Sequence, residues 1–242
     1  MDRPKIKTIA FDADDTLWEN EPLFVDTQSK CEELIRSYGD AEDLHDKLYE
    51  VEMRNLRLFG YGVKGFTLSM IETAIEMTQG RITADDIHKI VQLGKQMLDH
   101  PIELLPHVRE TLISLKLSCE LMIITKGDLF DQESKIARSG LSEWFDRVEI
   151  VSEKDPETYS KVLKRHGITP SSFLMVGNSL KSDVLPICEI GGHAVHVPFR
   201  TTWVHEQIHS IDHPDGYGVV DDLGELTGYV ENHFELVPNG RN

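Results

Sequence analysis

A chain of 242 residues, 40% hydrophobic and 28% charged, has the composition of a soluble globular protein, with room for one large domain or a core carrying an insertion. A formal charge of −17 argues against a phosphate backbone or an anionic surface as partner, so no nucleic acid and no membrane is expected. No apolar run nears a membrane span, no signal-peptide pattern opens the chain, and the three cysteines (Cys31, Cys119, Cys188) are odd in number and widely spaced, which predicts a reduced, cytoplasmic setting.

In chain order, KTIAF at 7–11 reads as a buried strand and leads straight into FDADDTLWENE, which puts Asp12, Asp14 and Asp15 into four positions. Residues 18–100 then show helical periodicity only, at 26–37, 41–58, 67–78 and 83–98, with Gly60-Tyr61-Gly62 and Gly65 as a loop-like interruption. From there strands and helices alternate. A helix over 106–117 precedes the run LMIIT, a helix over 128–139 closed by Gly140 precedes VEIVS, and a helix over 156–166 with Pro at its start and Gly167 past its end precedes FLMVG. Ser182 begins a further helix, capped by its hydroxyl or by Asp183, before HAVHVP. Continuous Val- and Ile-rich runs fit strands covered on both faces, and the connections have the length of right-handed crossovers. The predicted class is α/β: a doubly wound, Rossmann-like parallel sheet formed by 1–17 and 101–242, with an all-helical cap, 18–100, inserted after the first strand. The last residues, VPNGRN, read as a frayed tail.

Ligands of open α/β sheets bind beyond the carboxyl ends of the strands. Four polar sets converge there: Asp12, Asp14, Asp15 and Thr16; Thr125, Lys126, Gly127 and Asp128; Glu153, Lys154 and Asp155; and GNSLKSD with Asn178, Ser179 and Asp183. Each set has a bland alternative, namely a solvated acidic turn, a helix cap or a surface lysine. Four sets in one crevice favour chemistry. Crowded carboxylates raise one another's pKa, and that crowding becomes useful if one of them must carry a proton.

D-x-D-x-T followed by Leu, a Thr ending the second run, a Lys, and G-[DN]-S-x-x-x-D in that order resemble the haloacid dehalogenase-like hydrolases, and the long helical insertion is similar to that family's helical cap of the C1 type. The resemblance implies a phosphatase acting on a small phosphorylated metabolite as a monomer or homodimer. In it Asp12 is the nucleophile that forms an aspartyl-phosphate, and Asp14 is the general acid and later the base. Thr125 and Lys154 bind the phosphoryl group, with Lys126 and Lys161 as fallbacks for the lysine. Mg2+ is the implied cofactor, held by Asp12, the Asp14 carbonyl, Asn178 and Asp183. Asn178 departs from the family's usual Asp, which predicts weaker metal binding. Crowding and partial burial are expected to raise Asp14 by a couple of units.

In the cap, Arg54, Arg57, Tyr61, Lys64 and Phe66 lie near the glycine interruption and are candidates for reading the leaving group, with Lys64 as a substrate-binding residue. Rival readings are a phosphotransferase or mutase, a phosphonatase using Lys64, a receiver domain, and a catalytically silent binding protein. HEQIH at 205–209 matches a zinc-protease pattern but is hemmed in by Pro198 and Pro214, and is set aside.

Overall fold

The computed structural model describes residues 3–39, 43–201, 203–206 and 217–238. It divides into two compact units: Met1–Glu21, Ile102–Lys126 and Gln132–Asn242 form the first, Pro22–Pro101 and Gly127–Asp131 the second. The sequence boundary after residue 17 differs from this division, because 18–21 are tied into the first unit. Trp18 bridges to Leu104, and the Asp15 carboxylate accepts the backbone N–H groups of Asn20 at 2.8 Å and Glu21 at 3.0 Å.

The first unit is built on a parallel sheet of six strands. These are β2 (Thr8–Phe11), β3 (Glu120–Lys126), β4 (Arg147–Val151), β5 (Phe173–Gly177), β6 (His193–His196) and β7 (Tyr217–Val219), in the order β4-β3-β2-β5-β6-β7. A short strand β1 (Lys5–Ile6) pairs separately with β8 (Glu235–Leu236). Period-two alternation divides the strand residues between two cores. Ile9, Phe11, Leu121, Ile123, Leu174 and Val176 face one side, where they share a cluster with residues of α5 (Val108–Lys116) and α9 (Leu223–His233). Ala10, Met122, Ile124, Phe173 and Met175 face the other, with Tyr159, Val162 and Leu163 of α7 (Pro156–His166) and Ile187 of α8 (Leu185–Glu189). The sheet is therefore doubly wound. Its order reverses at β2, the central strand, whose carboxyl end delivers Asp12.

α6 (Leu129–Ser139) and α7 follow their strands as the sequence predicts, with Asp155 capping α7 by accepting the Thr158 N–H at 2.7 Å and Gly167 closing it at φ 67°. The helix expected from Ser182 differs. Leu180–Val184 forms a π turn before α8, and its cap is Ser179, whose hydroxyl accepts the Ser182 N–H at 3.0 Å. β7, α9 and β8 were not expected: Tyr217–Val219 and Glu235–Leu236 are too short to show a period.

The second unit consists of helices α1 (Glu21–Arg36), α2 (Leu44–Phe59), α3 (Val63–Met77) and α4 (Ala84–Asp99). Their inward faces meet in a core that includes Ile35, Leu48, Phe66, Met70, Ile90 and Met97. Gly65 is not part of the interruption. It sits inside α3, where a Cβ would lie 2.9 Å from the Gly60 carbonyl oxygen, so the closeness of the α2–α3 turn requires it. Among the described residues no helix is long and apolar enough to cross a membrane. Cys31 and Cys119 are buried free thiols, and Cys188 is half-buried.

Candidate active site

The strand order reverses at β2, and the carboxyl ends of β2 and its neighbours bring polar residues to one edge of the sheet. Asp12 follows β2 directly, and its backbone N–H donates to the Val176 carbonyl at 2.9 Å, so the main chain still belongs to the sheet when the carboxylate emerges. Thr125 lies in β3, Lys154 between β4 and α7, and Asn178 just beyond β5.

Lys154 is 4% exposed and its ammonium joins two carboxylates, donating to Asp12 Oδ1 and, at 2.6 Å, to Asp183 Oδ1. Burial works against the charge on Lys154, but Asp12 and Asp183 outweigh it and hold the group well above the ordinary lysine value. Burial pushes Asp12 up to about 7 despite Lys154. The second Asp183 oxygen accepts the Ser179 N–H at 2.9 Å. Thr16 closes the set. Its hydroxyl lies 3.1 Å from Asp12 Oδ2 and 3.3 Å from Asn178 Oδ1, and it accepts the Asn178 N–H at 3.1 Å.

One ammonium thus serves two buried carboxylates, which leaves negative charge in excess. Such a surplus, with hard oxygen donors on Asp12 and Asp183 and an amide oxygen on Asn178, fits a divalent cation of the magnesium type. Among the described residues no three His, Cys, Asp or Glu side chains converge on a metal position. The fit therefore depends on the amide, a backbone carbonyl and water.

Asp14 departs from expectation. Burial raises it, but Lys135 at 2.7 and 2.8 Å, Gln132 at 2.8 Å and the Trp18 indole N–H at 2.7 Å outweigh burial and bring it below the ordinary carboxylate value. Crowding by its neighbours does not decide this side chain, because the Lys135 ammonium on α6 reaches it.

Thr125 is 1% exposed. α6 begins only at Leu129, so Thr125 stands at the end of a strand rather than in the first turn of a helix. Lys126, expected to bind substrate, is committed elsewhere: its ammonium pairs with Glu206 and reaches Ser182 Oγ at 3.0 Å. Lys161 is exposed and paired with Glu157 at 2.6 Å. Lys64, in the second unit, pairs with Asp128 at 2.8 Å and lies 5.5 Å from the centre of the Phe130 ring. Arg54 is engaged on the surface of its own unit with Glu72 and Glu76.

Lys135, Gln132, Trp18, Tyr159 and Glu206 escaped the sequence reading. Tyr159 donates from its buried hydroxyl to the Ser182 carbonyl at 3.0 Å and pins the π turn that carries Asp183. Glu206 accepts from Ser179 Oγ at 2.5 Å and Ser182 Oγ at 2.6 Å. Burial would raise Glu206, yet Lys126 and the two hydroxyls bring it down to about 2. Only Gln132 and Lys135 left a trace in the sequence: polar residues three apart on the inward stripe of an amphipathic helix. Of the HEQIH pattern, 207–209 lie outside the described residues, as do 239–242 of the tail.

The haloacid dehalogenase-like hydrolase family matches residues 6–189. Glyceraldehyde 3-phosphate phosphatase of Pyrococcus furiosus is 28% identical over 207 residues, which cover 82% of this chain and 80% of the relative. The crystal structure of a haloacid dehalogenase-like family hydrolase from Xanthomonas campestris is 43% identical, covers 94% of this chain and 91% of its own, and superposes with a TM-score of 0.85. A hydrolase of this fold from Bacillus subtilis, described bound to magnesium, is 17% identical with a TM-score of 0.63 and covers 94% of this chain and 99% of its own.

Proposed function

We infer that this chain, which belongs to the haloacid dehalogenase-like hydrolases, is a Mg2+-dependent phosphatase that cleaves a small phosphomonoester through an aspartyl-phosphate on Asp12. The observation that carries the reading is the buried Asp12–Lys154–Asp183 arrangement at the end of the central strand. Phosphoryl transfer needs a fixed nucleophile, countercharge for the oxygens, and a proton for the leaving group. Asp12 is fixed by Lys154 and Thr16 and attacks phosphorus. The Lys154 ammonium stays beside the nucleophile and neutralises charge on the transferring group. The Thr125 hydroxyl donates to a phosphoryl oxygen. Asp14 protonates the leaving oxygen and then takes a proton from the water that attacks the aspartyl-phosphate.

Mg2+, when bound, would stabilise the negative charge spread over the phosphoryl oxygens. Asp12, Asp183, the Asn178 amide oxygen and the Asp14 carbonyl would hold it.

Three-carbon phosphate esters head the set of substrates to try, because relatives over most of the chain are named for glyceraldehyde 3-phosphate. The test is a phosphomonoester panel with Mg2+ on the wild type and Asp12→Asn side by side. Turnover by the first and its loss in the second are expected. No phosphate release from any ester, together with no beryllofluoride uptake at Asp12, would remove the reading.

A further inference from the structure

Helix α6 turns a polar stripe inward where an amphipathic helix would bury apolar side chains. Gln132, Lys135 and Ser139, three and four residues apart, are 3%, 9% and 5% exposed. Two of them end on one group. Lys135 places its ammonium 2.7 and 2.8 Å from the two Asp14 oxygens and 3.2 Å from Asn20 Oδ1. Gln132 donates through Nε2 to Asp14 Oδ2 at 2.8 Å, while its own buried Oε1 has no hydrogen-bond partner among the described residues. From the other side the indole N–H of Trp18, fully buried, donates to Oδ1 at 2.7 Å.

Stability alone does not account for this. A buried ion pair stabilises a fold no better than well-packed apolar side chains of similar volume, and an unpartnered buried amide oxygen works against folding. Three of the donors share one acceptor: Lys135, Gln132 and Trp18 each donate to Asp14. They fix the plane of the carboxylate and present it as a pure acceptor, the form that a base requires.

We propose that Lys135, assisted by Gln132, is a positioning residue for Asp14 in the second half of the reaction, holding the carboxylate to accept the proton of the attacking water. The proposal rests on the reading above, in which Asp14 activates that water. The step balances. Water oxygen bonds to phosphorus as the bond to Asp12 breaks, and the proton released by the water passes to Asp14. It leaves again with the next leaving group, the ester oxygen of the following substrate.

The test uses p-nitrophenyl phosphate, whose leaving group departs without an acid, so that kcat/KM reports formation of the aspartyl-phosphate and kcat reports its hydrolysis. Lys135→Met is expected to lower kcat at least tenfold, leave kcat/KM within about twofold, and produce a pre-steady-state burst of p-nitrophenol, since a base in position contributes a factor of about 10² or more. Lys135→Arg, which keeps a cation there, is expected to restore most of kcat. An equal fall in kcat and kcat/KM with no burst, or no change in either, overturns the assignment. A second readout needs no turnover: the Trp18 indole N–H resonance, identified by elimination with Trp144→Phe and Trp203→Phe, is expected to move in Lys135→Met. An unmoved resonance overturns the proposal as well. Failure of the wild type to hydrolyse any ester would instead defeat the proposed function, and the indole signal would still report separately on the contact.

Discussion

At Gly177 the chain passes so close to Asp183 that a Cβ would lie 2.2 Å from its carboxylate oxygen. Glycine is required there for space alone, and the space belongs to the carboxylate that shares Lys154 with Asp12. The next residue, Asn178, stands where a carboxylate is usual in the family. Among the described residues its amide oxygen is held only by the Thr16 hydroxyl, at 3.3 Å, and an amide brings no charge to a cation. Asn178→Asp is therefore expected to lower the Mg2+ concentration that gives half-maximal rate, read from initial rates across a Mg2+ titration. An unchanged or higher requirement would mean that the amide is remote from the ion. Asp15 shows how one residue can serve the frame and not the chemistry. It adopts φ 61°, and its carboxylate accepts the N–H groups that open α1, so this member of the acidic cluster is a cap.

Among the elements, the π turn Leu180–Val184 gathers the most dependencies. Tyr159 of α7 holds its Ser182 carbonyl, and Glu206 holds the hydroxyls of Ser179 and Ser182 while pairing with Lys126 at the end of β3. π turns are uncommon and recur at functional sites, and this one sets the orientation of Asp183. The Glu206 carboxyl has its ordinary value near 4.5 and is brought down to about 2, so the folded state favours the charged form. The stability this gives is complete above about 4.5 and disappears as pH falls through about 2. Glu206→Gln should thus unfold at lower urea than the wild type at pH 7. The gap between their urea midpoints should narrow as the pH is taken from 4.5 toward 2. A constant gap would show that the carboxylate charge is not what the turn uses.

For the whole molecule, the formal charge of −17 sets a condition on catalysis. A phosphorylated substrate meets a repulsive field, and local positive charge must overcome it at close range. Among the described residues of the first unit, Lys154, Lys135 and Lys126 are committed to carboxylates, and a divalent cation is one source of the charge that is needed. Because such an ion would bind the folded chain alone, Mg2+ should raise Tm, and EDTA should reverse the gain. At a concentration 100 times Kd the linkage amounts to about 2.7 kcal/mol. A Tm indifferent to Mg2+ up to concentrations that support turnover would separate catalysis from resident metal binding.

The order of strands and helices, the helical insertion and the four polar sets were legible because each is written in short-range patterns. Continuous Val and Ile runs mark buried strands, Pro-to-Gly punctuation marks α7, and D-x-D-x-T and GNSLKSD carry fixed spacings along the chain. Those patterns decided the fold class and brought Asp12, Asp14, Asn178 and Asp183 forward as candidates. They could not say that Lys126 is already taken, that Asp14 is governed by a lysine 121 positions away, or that Glu206 reaches the π turn. Nor could they reveal β7, β8 or the pairing of β8 with β1, since a strand of two or three residues has no period and exists only through its partner. The physical reason is common to all of these. Side-chain electrostatics and strand pairing depend on distance in space, and only the folded chain sets which distant residues meet.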